Sequence, residues 1–243
     1  MPIDQAEAIV LRTYNIGDQD KIAVFLTREH GLVRGVAKGA RKFGSRFGSA
    51  LEPMSHVMAF YYEKERRDLV TVNTCDLLES YFDLQADVRT SLTISYFAEL
   101  IEEFIPGRIQ EDLVFRLLLS ILRALKEKGD LNLLTRYFEA WVLHINGFLP
   151  DVHRCRGCRK VMEESGWLGP KRDGIYCEAC APLKRDEVRG ELGRFLHWVR
   201  THPPAKAKET TFSAAELKSI EKSLQAMITY HLEREPKSLR FLR

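Results

Sequence analysis

Apolar residues alternate with polar ones along the first 80 or so positions, then recur every third or fourth residue, and this change of period divides the chain. Residues 8–14, 21–27 and 31–37 are short runs rich in β-branched side chains, punctuated by Gly17 and Gly31. Two further runs, 55–63 and 69–75, flank a charged turn at 64–68. Five short strands with a long connection between the third and fourth predict a small barrel of the OB type, although an SH3-like barrel gives a similar string. From residue 81 the helical period takes over. Leu92, Tyr96, Leu100 and Phe104 mark one helix, stopped by Pro106 and Gly107. Leu113, Leu117, Ile121 and Leu125 mark a second. Asp130 caps a third, which carries Leu134, Phe138, Trp141 and Ile145. Past the cysteine-bearing residues 152–183 the helical period returns at 186–200, and Ser213 and Glu216 form a capping box for a last helix.

The predicted fold is therefore α+β and multidomain. A five-stranded OB-type barrel (1–80) precedes a mainly α-helical domain (81–151 and 184–243) that carries an inserted four-cysteine zinc module (152–183). No uncharged apolar run is long enough to span a bilayer, and no basic, apolar leader opens the sequence, which predicts a cytoplasmic protein.

Cysteine usage sharpens the picture. Cys155 and Cys158 form one CxxC pair and Cys177 and Cys180 a second. In a reducing compartment this spacing reads as structural zinc held by four thiolates, with a metal-free thiol cluster as the alternative. His153 stands close enough in sequence to substitute as a ligand. Cys75 lies in an alternating run and is expected to be a small core residue.

Charge adds a second candidate site. The net charge is only +3, but residues 28–47 carry six Lys or Arg against Glu29 alone. Residues 76–112 run the other way, with nine acids against two bases. In the basic segment Arg34, Lys38, Arg41, Lys42 and Arg46 interleave with Phe43 and Phe47, and Gly39, Gly44 and Gly48 are expected to keep the loop pliable. Cations neutralise phosphates and exposed rings stack on unpaired bases, so the segment predicts nucleic-acid binding. A solvated loop without a partner is the alternative. No enzyme is expected: Gly39 and Gly44 are followed by Ser45 where a phosphate loop needs Lys, and no metalloprotease, nucleophile-elbow or kinase motif occurs.

Several motifs then resemble one family. They are Glu7-Ala-Ile-Val-Leu-Arg12, Val36-Ala-Lys-Gly-Ala-Arg-Lys42, Leu51-Glu-Pro53, the CxxC pairs after Gly147-Phe-Leu-Pro150, and Lys237-Ser-Leu-Arg-Phe-Leu242. Together they resemble RecO, a family of bacterial recombination mediators, over essentially the whole chain. The resemblance implies binding of single- and double-stranded DNA, annealing of complementary strands, and loading of RecA at gaps together with RecR and RecF. It places the DNA contacts at Arg34, Lys38, Arg41 and Lys42, and implies association with the nucleoid. Some members lack the cysteines, which makes zinc structural. The resemblance also implies a pocket for the acidic, apolar-ended C-terminal tail of the single-strand-binding protein, expected near Arg116, Arg123 and Arg136. A helical protein–protein adaptor with no direct DNA role is the rival expectation.

Overall fold

The computed structural model describes residues 3–63, 69–105, 107, 112–162, 165–210 and 212–242; the expected turn at 64–68 and the helix stop at Pro106 lie outside them. The chain divides into two compact units, 1–122 with 240–243, and 123–239.

In the first unit β1 (Asp4–Ile16), β2 (Asp20–Thr27), β3 (Gly31–Ala37), β4 (His56–Tyr62) and β5 (Val70–Glu79) close into a barrel. The spatial order is β1-β2-β3-β5-β4, and β3 runs parallel to β5, which settles the choice of barrel in favour of the OB type. β1 is long enough to pair with both β2 and β4, and its register shifts between Val10 and Arg12, which lets it turn the barrel corner. Alternate residues point inward. Ala8, Val10, Phe25, Val33, Val57, Ala59 and Val72 fill the core together with Cys75, whose thiol is pushed up to about 12 by burial and by the charge of Asp76.

The parallel seam is short: Gly35 pairs with Val70, Val36 with Thr71 and Ala37 with Val72. Gly35 is required there, because a Cβ at this position would lie 2.6 Å from Val72 Cγ2 and 2.7 Å from Val70 Cγ2.

After a 3-10 turn at Phe82–Ala86, α1 (Val88–Phe104) starts at Asp87, whose carboxylate accepts the Thr90 N–H at 2.8 Å. α2 (Asp112–Lys126) follows. Within the first unit, ion pairs tie both helices to the barrel. Glu102 of α1 accepts from Arg12 at 2.9 Å and from Arg34 at 3.4 Å. Glu7 of β1 meets Arg28, just past the end of β2, and the buried His56 of β4, each at 2.9 Å, and Arg28 reaches on to Asp112 of α2, also at 2.9 Å. Phe115 packs edge-on against His56, with ring centroids 6.0 Å apart.

The second unit is built on α3 (Leu131–Ile145), α4 (Gly190–Thr201) and α5 (Ala214–His231). The caps expected at Asp130 and Ser213 both form. Leu134, Phe138, Phe195, Ile220, Leu224 and Met227 are fully buried in this unit. Between α3 and α4 lie three short strands, β6 (Ser165–Leu168), β7 (Ile175–Tyr176) and β8 (Glu187–Arg189), paired in the order β7-β6-β8. No helix among the described residues is long and apolar enough to cross a membrane.

Two outcomes follow from this packing. Gly35→Ala is expected to lower stability by about 1–3 kcal/mol by forcing the β3–β5 seam apart, read as a lower midpoint in urea. Glu7 is partly buried, which works against its charge, but hydrogen bonds from Arg28 and His56 outweigh that and hold its carboxyl below the ordinary 4.5. A lowered native pKa means that the stabilisation is present above the unfolded value and is lost as pH falls through the native one. Glu7→Gln should therefore flatten the acid limb of a stability–pH profile measured by denaturant titration.

Candidate nucleic-acid interface and metal centre

The basic connection between β3 and β4 is a succession of tight turns, not a slack loop. Backbone N–H groups of Ala40, Lys42, Ser45, Gly48, Ala50, Glu52 and Ser55 each donate to the carbonyl three residues earlier, at 2.9–3.4 Å. Gly39, Gly44 and Gly48 adopt positive φ of 71°, 69° and 48°, so these glycines allow the turns where flexibility was expected. The segment also docks on the β1–β2 turn. Arg41 N donates to Gln19 O at 2.9 Å, Arg41 Nη1 to Gly17 O at 3.0 Å, and Gly39 N to Asp20 Oδ1 at 2.8 Å.

Phe47, Ala50 and Leu51 turn inward and join the barrel core. This corrects the expectation for Phe47: only 3% exposed, it has no face to offer a base. Phe43 is the opposite case, fully exposed between the cations. Lys38, Arg41, Lys42 and Arg46 are exposed as well. Arg46 is steadied by the carbonyl of Asn73 at 2.6 Å and lies 5.0 Å over the Phe47 ring. Arg28 and Arg34 belong instead to the ion pairs that hold the helices, so the cations concentrate at 38–46.

In the second unit all four cysteine sulfurs of the two CxxC pairs lie within 4.8 Å of one another, and Cys158 Sγ is 3.7 Å from Cys177 Sγ. Thiolates held tetrahedrally at about 2.3 Å from a metal are about 3.8 Å apart, so the donor set fits such an ion and would close its coordination shell. Each pair sits on a tight turn. Arg159 N donates to Cys155 O, and Arg159 takes φ 65° to close the first; Ala181 N donates to Cys177 O in the second. The turns pack so closely that a Cβ on Gly157 would lie 3.0 Å from Cys180 Cβ and 3.2 Å from its sulfur.

Burial opposes ionisation of Cys155, but N–H groups of Cys158, Cys177 and Gly157 outweigh it and bring this thiol down to about 6. Cys180 shares its proton with the sulfurs of Cys177 and Cys158 and is pushed up to about 12. Four sulfurs this close cannot all ionise without a cation among them, and a bound metal ion replaces their protons. His153 is exposed and stands outside the cluster.

The residues expected around the partner-tail pocket differ in exposure. Arg116 is exposed and pairs with Asp112 at 2.8 Å, and Arg123 is exposed on α2. Arg136 is buried, held by Glu139 at 3.1 Å and Glu221 at 3.4 Å, which corrects its placement on a surface. A signal for that was available: a base and an acid three positions apart inside an apolar helical stripe. The second unit instead has a cavity of about 360 Å³ walled by Leu133, Ala207, Phe212 and Leu217, with Lys128 and Lys208 among its lining residues. No periodicity reveals it, because its walls come from distant parts of the sequence.

The family model described as "Recombination protein O N terminal" matches residues 1–81, and that described as "Recombination protein O C terminal" matches residues 85–240. Among similar proteins, the DNA repair protein RecO of Koribacter versatilis is 32% identical over 233 residues, covering 96% of this chain and 95% of its own. That of Desulforudis audaxviator is 34% identical over 245 residues, covering 98% and 96%. That of Pelotomaculum thermopropionicum is 31% identical over 244 residues, covering 100% and 94%.

About one equivalent of divalent metal per chain is expected on elemental analysis of the purified protein. The double substitution Cys155→Ser and Cys177→Ser should abolish it. Full metal content in that variant would mean that the ion is held elsewhere.

Proposed function

Because the chain belongs to the recombination protein O (RecO) family, we propose that it serves DNA repair and recombination as a mediator that binds single- and double-stranded DNA and anneals complementary strands. In the same reading it helps to load RecA onto gaps coated with single-strand-binding protein, acting with RecR and RecF. The work is done on cytoplasmic, nucleoid-associated DNA, and no catalytic residue is assigned. Zinc is the proposed metal, because four thiolates in a closed shell suit it and leave no position open for chemistry.

The observation that carries this reading is the presentation of Lys38, Arg41, Lys42 and Arg46 around the exposed ring of Phe43, on turns anchored in an OB-type barrel. Annealing requires that the repulsion between two polyanions be lowered without either strand being locked in place. Phosphate contacts by long cationic side chains are sequence-independent and salt-labile, which suits that task. Phe43 adds a preference for unpaired bases through stacking. Arg34 contributes a weaker contact, since Glu102 already engages it.

A protein-docking role is favoured by a separate observation, the cavity lined by Leu133, Ala207, Phe212 and Leu217 together with Lys128, Lys208, Thr210 and Asp130, whose carboxylate is engaged by the Leu133 N–H. It offers an acidic, apolar-ended tail both a place for its last side chain and charges for its carboxylates. The proposed tail site accordingly moves there from Arg116, Arg123 and Arg136.

Replacing Lys38, Arg41, Lys42 and Arg46 together by Ala is expected to weaken single-strand binding and to reduce the slope of log affinity against log salt by about 3 units. Phe43→Ala alone should cost about 1–3 kcal/mol for single strands, with little effect on duplex. Fluorescence anisotropy across a salt series reads both. Unchanged affinity and slope in the fourfold variant would leave the helical adaptor as the better account.

A further inference from the structure

The four-cysteine module has a charge that its metal centre does not explain. Residues 152–185 contain eight Lys or Arg and four Asp or Glu. Three of the bases are engaged by acids: Arg156 by Asp173 at 3.7 Å, Arg172 by Asp186 at 2.6 Å and Lys184 by Glu178 at 3.1 Å. A divalent ion with four thiolates carries a net charge of roughly −2, which leaves the module positive. The remaining cations include Arg154, Arg159, Lys160 and Lys171, all exposed and without an ion-pair partner among the described residues.

Three of these four sit on one small hairpin. Arg154 bridges to Val161, Cys155 N donates to Lys160 O at 2.8 Å, and Arg159 N donates to Cys155 O at 2.9 Å. The cysteine turn that holds the metal therefore also fixes the spacing of Arg154, Arg159 and Lys160. Lys171 occupies the neighbouring turn, which Gly169 N closes onto Gly174 O at 3.0 Å, and Gly174 packs against the Arg156 side chain.

We infer that this hairpin is a second nucleic-acid-binding surface, borne by the second unit and separate from the basic turns of the barrel. It extends the DNA-binding reading above. Guanidinium groups on a rigid turn suit the forked geometry of phosphate oxygens. The one exposed apolar side chain on the hairpin is Val161, and the neighbouring pocket of about 160 Å³ walled by Val152, Met162, Ile175 and Val188 has none of Arg154, Arg159, Lys160 or Lys171 in its lining. These four charges therefore stand along an open turn, which suits a phosphate backbone better than a peptide anchored by an apolar side chain. One polyanion surface on each unit would let a single chain hold two strands at once, which is the arrangement that pairing of complementary strands calls for.

The test uses the full chain and an oligothymidylate of about ten nucleotides, near the site size of one OB barrel. Two oligonucleotides should bind per chain by calorimetry. Arg154→Glu with Arg159→Glu and Lys160→Glu should leave one, lower the summed salt slope by about 2 units and leave the metal content unchanged. The neutral set Arg154→Gln, Lys160→Gln and Lys171→Gln, which spares the Arg159 turn, should show the same loss and guards against a folding artefact. The fourfold barrel variant should also leave one, and its combination with the hairpin variant none. If the hairpin variants keep the stoichiometry and slope of the unsubstituted chain, the inference is wrong. It is equally wrong if they lose only the binding of a polyglutamate peptide. If instead the barrel variant alone keeps both sites, the loop reading fails while the hairpin is judged on its own variants.

Discussion

The barrel closes through three residue pairs between parallel strands, and much of the first unit follows from that seam. Parallel neighbours cannot be joined by a hairpin, and β4 lies on the far side of β5 from β3. The chain leaving Ala37 must therefore pass across an end of the barrel before it can enter at His56. An end so crossed exposes core unless the crossing segment fills it. Phe47, Ala50 and Leu51 do so, and burying the Phe alone is worth about 1.5–3 kcal/mol. Because one side of the segment is committed to the core, its polar residues have only the outside to occupy. The cluster of cations is thus a by-product of the topology as much as of composition.

The second unit handles a different difficulty. Between α3 and α4 the strands are two to four residues long, and few apolar side chains there are buried, among them Leu168, Ile175 and Val188. That is too little core to hold a fold by hydrophobic burial alone. A metal ion held by the four sulfurs would supply the missing cross-link, and Gly157, Gly166 and Gly174 let the backbone come close enough for it. Gly166 shows how tight this is, since a Cβ there would lie 2.4 Å from Ile175 Cγ2.

Much of this was readable in the residues. Alternation located all five barrel strands, with residues 31–37 matching β3 at both ends, because each strand has one face on the core. The caps at Asp130 and Ser213 and the cysteine cluster were equally legible, since each rests on local spacing. Direction and partner choice were not. Phe43 and Phe47 are the same residue type in the same basic context, and only the turn geometry sends one out and the other in. Arg28, Arg34 and Arg136 looked like available charge, yet their acids lie on other strands, on helices or one helical turn away. The cavity near Lys128 and Lys208 joins stretches about 80 residues apart and left no pattern.

The succession of turns from Ala40 to Ser55 has one more effect. A disordered basic arm must surrender its backbone freedom each time it meets a polyanion, and that loss sets both affinity and rate of release. Here the backbone is ordered beforehand by its own hydrogen bonds, so only the side-chain rotamers of Lys38, Arg41, Lys42 and Arg46 remain to be restricted. In the proposed role, strands would be taken up and let go without the protein refolding around them, and a strand would slide lengthwise from one ammonium or guanidinium to the next. Such a surface would behave as a bearing and not as a clamp.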